Sequence, residues 1–121
     1  MIKNLKTLII AVLALLIGAW SFASYAGDRS TRWPAVRAAY LKQNPACEVC
    51  GKKRVLLAPI EVHHIVPFHI RPDLELEPSN LISLCRDHHI LFGHLMNWKS
   101  WNIDVRSDAD EWRNKIKNRP L

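Results

Sequence analysis

Histidine and cysteine gather in one stretch of this 121-residue chain. Cys47-Glu48-Val49-Cys50 comes first. Glu61-Val62-His63-His64-Ile65-Val66-Pro67 stands in the middle, and Cys85, His88 and His89 close the group. These side chains bind borderline metals, and His is also the usual general base near neutral pH. Cys47-x-x-Cys50 followed by Cys85-x-x-His88 has the arithmetic of a structural zinc site: two knuckles, four ligands, nitrogen and sulfur only. Gly51 suits the first knuckle, because glycine accepts the positive φ that turns backbone amides toward the sulfurs. The alternative is a Cys47–Cys50 disulfide with Cys85 left free. An odd cysteine count and an oxidising compartment both allow it. His88 and His89 are neighbours on a predicted helix and point about 100° apart, so they do not easily serve one ion. If His88 closes the zinc site, His63, His64, His89 and Asn80 remain for a second centre.

The elements that must position these residues can be read from the pattern around them. Trp33, Val36, Tyr40 and Leu41 recur as one helix face. Pro34 is tolerated in a first turn, Ser30 or Thr31 could cap it, and Asn44-Pro45 ends it. Val55–Ala58 and Ile60–Val66 are apolar and β-branched enough for strands, interrupted at Pro59. Phe68–Ser79 reads as a loop whose acids Asp73, Glu75 and Glu77 suit a solvated edge, with lining a metal site as their other use. Asn80–Cys85 reads as a short strand. Arg86 to about Met96 reads as a helix weakened at Gly93. Asn97–Asn102 is a turn rich in indole that packs the helix end, with stacking on bases as its other use. Asp108–Lys117 predicts a last helix, capped by Ser107 or Asp108, with acids first and bases last.

The N-terminus stands apart. Lys3 and Lys6 precede Leu8–Trp20, which holds nothing polar, and Ser24-Tyr25-Ala26 follows. That is the order of a secretory signal peptide. A core helix would show a single apolar stripe, and this run is apolar all round. A retained anchor is the other reading, although a span of about 20 apolar residues is reached only by counting Ser21–Ala26. The expected organisation is a signal peptide or membrane anchor over 1–26, a linker over 27–32 and one domain over 33–121. The protein is then exported (periplasmic or secreted) or anchored in the inner membrane. A domain this small often recruits a metal to supplement its core. Lys+Arg number 17 against 11 Asp+Glu, a formal net charge of +6. This balance suits a polyanionic partner without proving one.

Taken in order, Cys47-x-x-Cys50, Glu61–Pro67, Asn80–Cys85 and His88-His89 resemble the HNH endonuclease family, the ββα-metal or His-Me finger nucleases. The resemblance spans most of residues 33–102, and Leu91–His94 through Trp98–Trp101 also looks like a subgroup of bacterial and phage members. It implies an α+β fold: a small ββα-metal core with flanking helices, here behind an N-terminal hydrophobic helix. It also implies that His63 and His89 hold a catalytic divalent ion (Mg²⁺, Mn²⁺, Ni²⁺ or Zn²⁺), that His64 is the general base, and that Asn80 braces the loop between the strands. The implied activity is metal-dependent hydrolysis of DNA phosphodiesters, leaving 5′-phosphate and 3′-hydroxyl ends; one small domain with no obvious recognition helix or reader module points to little sequence selectivity. The alternative is a catalytically inactive HNH-like zinc module that binds nucleic acid or a protein partner. Two details resist the pattern. Strand neighbours point to opposite faces, so His63 and His64 need a local distortion to meet at one centre. His94 follows His89 by five residues, roughly 140° off its face on an α-helix, and reaches the centre only if Gly93 breaks the helix. His69 reads as a loop or substrate-side histidine.

Overall fold

The computed structural model describes residues 28–120. The hydrophobic run Leu8–Trp20 and its expected role as signal or anchor lie outside the described residues. Among the described residues, no helix is long and apolar enough to cross a membrane.

Helix α1 covers Trp33–Gln43, with Pro34 in its first turn. The expected cap is placed differently: Arg32 is the N-cap residue and makes no side-chain cap bond. Ser30 instead closes the turn before the helix, its hydroxyl accepting from the Arg32 amide at 3.2 Å. The helix stops where proline demands it, and both nitrogens of Asn44 donate to the Tyr40 carbonyl.

Strands β1 (Ile60–His64) and β2 (Leu81–Cys85) form an antiparallel pair in the register Ile60↔Cys85 through His64↔Leu81. All of β2 is buried. Its Leu81, Ile82 and Leu84 are wholly removed from solvent, each contributing on the order of 1.5–3 kcal/mol. Ile82 and Leu84 share a core with Cys47, Val49, Ile60, Ile65, Cys85, Val105 and Ala109, while Leu41 and Phe92 pack against its edge. The buried backbone at the end of β2 is satisfied from two helices. The Tyr40 hydroxyl and the Arg106 guanidinium both donate to the Leu81 carbonyl, at 2.7 and 2.6 Å.

Three segments depart from the expectation. Val55–Ala58 is not a strand: Val55 and Ala58 bridge only each other across a tight turn. Pro59 removes a donor beside it, and no further strand pairs there. The helix expected over Arg86–Met96 is α2 (Arg86–His88), which runs into a π-turn over His89–Gly93. Leu95 and Met96 then take positive φ angles of 51° and 64° and end the helical path. The last helix, α3, spans Val105–Lys117 and so begins before Asp108. Its start is set by buried Asn102, which accepts from the Asp104 amide at 3.0 Å and donates to Asp108 at 2.7 Å and to the Phe92 carbonyl at 3.0 Å. One side chain thereby ties α3 to the π-turn.

Candidate active site and metal centres

The two knuckles meet at the Ile60–Cys85 end of the hairpin. Gly51 takes a φ of 73°, the Gly51 amide donates to the Cys47 carbonyl and the Cys47 amide to the Lys52 carbonyl, each at 2.8 Å. Ligand atoms of Cys47, Cys50, Cys85 and His88 all lie within 4.8 Å of one another. His88 Nδ1 is 3.2 Å from Cys85 Sγ and 3.5 Å from Cys47 Sγ. All three cysteines are free thiols. Burial pushes the Cys47 thiol up, but amide N–H groups of Cys85, Cys50 and Val49 outweigh it and hold the thiol below its ordinary range. Burial and the neighbouring sulfurs of Cys47 and Cys50 push Cys85 up to about 11. Converging sulfurs whose negative charges oppose one another form a donor set that a cation completes. These four residues could hold a metal such as zinc.

A second cluster forms where β1 faces the π-turn. The rings of His63, His89 and His94 are mutually 4.9–5.0 Å apart, centroid to centroid. His94 reaches this place because the turn is widened: its amide bonds the His89 carbonyl, five residues back, at 3.2 Å. An i→i+5 ladder brings the fifth residue back toward the first, whereas an α-helix would have carried it past. Gly93 is needed for the approach, since a Cβ there would stand 3.0 Å from His63 Cε1.

The outer nitrogens of the two helical histidines are tied down. His89 Nδ1 donates to a Glu61 carboxylate oxygen, and Glu61 is held in turn by Arg86 at 3.3 Å. His94 Nδ1 donates to the Ser100 carbonyl at 2.8 Å. His89 is thereby left with its lone pair on Nε2, 3.0 Å from His63 Nδ1, and an outer partner of this kind is what orients metal-binding histidines. Burial, with repulsion from His89, His94 and His64, drives the His63 pKa down to about 3. Burial lowers that of His89 as well, against the pull of Glu61. His63 Nε2 is buried without a hydrogen-bond partner among the described residues. Neutral imidazoles with an orphaned buried nitrogen fit a divalent ion that keeps open positions.

His64 closes β1 beside this cluster. Its Nε2 donates to the Glu75 carbonyl at 2.9 Å, and the Trp33 ring packs against it at 4.4 Å. The bond fixes the proton on Nε2 and leaves Nδ1 with the lone pair. Burial lowers the His64 pKa and Arg29 adds to that, while the Glu75 carbonyl and carboxylate work against it. The loop that brings Glu75 to this position is closed by buried Asn80. Asn80 accepts from the Val66 amide at 2.8 Å and donates to the Val66 and Leu74 carbonyls at 3.0 and 3.2 Å. His63 and His64 both line one cleft of about 380 Å³ with His89 and His94. They share it without a bulge in the β1–β2 register.

Several participants are not apparent from the spacing of the sequence. Glu75 is not on a solvated edge. It is 3% exposed, accepts from the Ser30 amide at 3.0 Å and lies 3.7 Å from Arg29. Arg29 reaches the cleft between the Trp33 and Phe68 rings, 5.6 and 5.3 Å from their centroids. Glu61 sits inside the quoted motif, yet only the fold shows that it holds His89. Trp98 packs over the histidines, 4.7 Å from His94 and 5.5 Å from His89, rather than only at a helix end. His69 is exposed at the cleft edge.

An antiparallel hairpin followed by a helical turn, with histidines facing one another across them, is consistent with a ββα core. Residues 47–90 match the family model described as HNH endonuclease, so the resemblance read from the motifs holds across both knuckles, the hairpin and the His88-His89 pair. His94 and Trp98 lie beyond the matched segment. Neither curated proteins nor solved structures gave a match to the chain.

Proposed function

We propose that this chain is a metal-dependent endonuclease that hydrolyses the phosphodiester bonds of DNA. The observation that carries the reading is the convergence, in one cleft, of His63, His89 and His94 beside a His64 whose Nε2 is committed to a backbone carbonyl. His64 is the general base: its Nδ1 takes the proton as a water oxygen bonds to phosphorus and the P–O3′ bond breaks. The departing O3′ takes a proton from solvent water, so the ends left are 5′-phosphate and 3′-hydroxyl. The depressed pKa keeps His64 unprotonated near neutral pH, as a base requires. Asn80 acts on the base indirectly, by closing the loop that carries the Glu75 carbonyl. His63 and His89, with His94 as a third donor, would hold a divalent ion (Mg²⁺, Mn²⁺, Ni²⁺ or Zn²⁺). When bound, such an ion supplies positive charge to the phosphate and the leaving oxygen. Cys47, Cys50, Cys85 and His88 hold zinc for the fold. Recognition rests on backbone phosphates, because one small domain carries no separate reader, and this gives little sequence selectivity. The composition of the N-terminal run Leu8–Trp20 supports a location outside the cytoplasm or on the inner membrane.

The test is supercoiled plasmid incubated with the purified protein across these four ions, beside His64→Ala. Cleavage that needs the ion and collapses in the variant supports the enzyme and its base. DNA binding without cleavage by folded, zinc-loaded wild type in every ion would replace the enzyme with a binding module.

A further inference from the structure

Leu56 and Leu57 occupy the tip of the Val55–Ala58 turn and are 98% and 93% exposed. Lys52, Lys53 and Arg54 lead into that tip and are also exposed. Behind it lies a groove of about 320 Å³ lined by Arg37, Lys42 and Arg54 alongside Ala38 and Leu41. The groove lining includes no acidic side chain. Among the described residues, none of these five cations takes part in an ion pair. The fold therefore holds two bare leucines in water inside a collar of unneutralised positive charge. Neither feature serves the core or the histidine cleft.

A duplex would satisfy the cations but leave the leucine pair against phosphate and sugar. A bilayer surface accepts both, with anionic headgroups for the Lys and Arg heads and the acyl boundary for the leucines. The turn precedes Ile60, at the opposite end of β1 from His64, so a surface docked there leaves the cleft open to solution. The chain ahead of the described residues also contains the apolar run Leu8–Trp20 behind Lys3 and Lys6, a composition suited to the same surface. We propose that the Lys52–Ala58 turn docks the domain on an anionic phospholipid surface. Leu56 and Leu57 enter the interface, and Arg37, Lys42 and Arg54 meet headgroup phosphates.

The test uses the full chain on phosphatidylcholine vesicles with or without phosphatidylglycerol, and reads tryptic cleavage after Lys52, Lys53 and Arg54 by mass spectrometry. Both vesicles accommodate an apolar N-terminal run, so only the anionic lipid distinguishes the turn. Cleavage there should slow by about tenfold or more when phosphatidylglycerol is present, and Arg37→Gln should weaken that lipid-dependent protection by about fivefold. Leu56→Asp with Leu57→Asp should abolish the protection while zinc content and plasmid cleavage stay unchanged. The His64→Ala variant should be protected as wild type is, which separates this proposal from the nuclease reading. Equal cleavage on both vesicles, or protection that survives the double aspartate variant, would overturn it. Equal protection by a DNA duplex without vesicles would also overturn it and assign the turn to nucleic acid.

Discussion

The two ends of one short hairpin hold opposite kinds of donor cluster. At the Ile60–Cys85 end, Cys47, Cys50, Cys85 and His88 converge, and three of the four candidate ligand atoms are sulfurs. Four protein ligands saturate a tetrahedral ion and leave nothing for a substrate. At the His64–Leu81 end, three imidazoles converge on the wall of a cleft, and a fourth, His64, stands beside them. Few protein ligands leave coordination positions open, which is what chemistry on a bound molecule needs. The supports differ as well. The sulfur end is organised by backbone amides turning toward Cys47, whereas the histidine end is organised by side chains and carbonyls that clamp the His89, His94 and His64 rings from behind. The first arrangement favours a cation that stays for the life of the fold. The second fixes lone pairs in direction while leaving the ion exchangeable.

That contrast is sharpest under metal removal. Stripping metal from the sulfur end with a strong chelator, or replacing Cys85 with Ser, should unfold the domain, because the binding free energy of such sites is folding free energy, roughly 10–16 kcal/mol in isolated finger peptides. Circular dichroism and a zinc count should report both losses together. Retention of a cooperative fold without zinc would remove the structural role assigned to this end. At the other end, His64→Ala should cut plasmid cleavage by about 10²–10⁴-fold with zinc content and melting behaviour preserved. A variant that lost zinc as well would show the two ends to be one coupled unit.

The parts of this contrast legible in the sequence were those carried by local spacing. The paired knuckles, the two strands around the histidine pair, and the first and last helices all follow from residue type and period. The bracing partners of Asn80 became specific only in the fold, where it closes the Val66–Leu74 loop. What could not be read depended on long-range packing. Glu75 looks like a loop acid until Ser30 and Arg29, some 45 residues away in sequence, are brought against it. His94 looks misplaced until the i→i+5 turn is known, and no periodicity rule built on 3.6 residues anticipates that turn. The Val55–Ala58 stretch has strand composition but no partner strand, so its apolar residues end at an exposed tip.

Smaller perturbations should separate the orientation of the histidine ligands from their presence. Glu61→Gln keeps the shape beside His89 but removes the charge that holds its Nδ1 proton. Loss of an outer partner of this kind typically costs about 10–100-fold in metal affinity or activity. Titration of cleavage against metal concentration should show the loss mainly as a raised half-saturation point. A loss confined to the rate at saturating metal would indicate that Glu61 meets the substrate instead. Asn80→Ala leaves the Val66 amide without its acceptor, which should cost about 1–3 kcal/mol of stability by denaturant unfolding. The zinc count should remain intact.

Gly93→Ala should have the smallest effect of the series. The added methyl would meet three atoms of the His63 ring at 3.0–3.2 Å, so the ring must give by a few tenths of an ångström. His63 projects from a strand paired across its whole length, and the π-turn is fastened to α3 through Asn102, so neither wall can retreat far. The outcome should be a severalfold rise in the metal needed for cleavage, with near-normal cleavage once metal is saturating and no change in zinc content. An unchanged metal requirement would mean that the close approach of the π-turn does not set the spacing of His63, His89 and His94. The widened turn would then serve only to deliver His94 to the cleft.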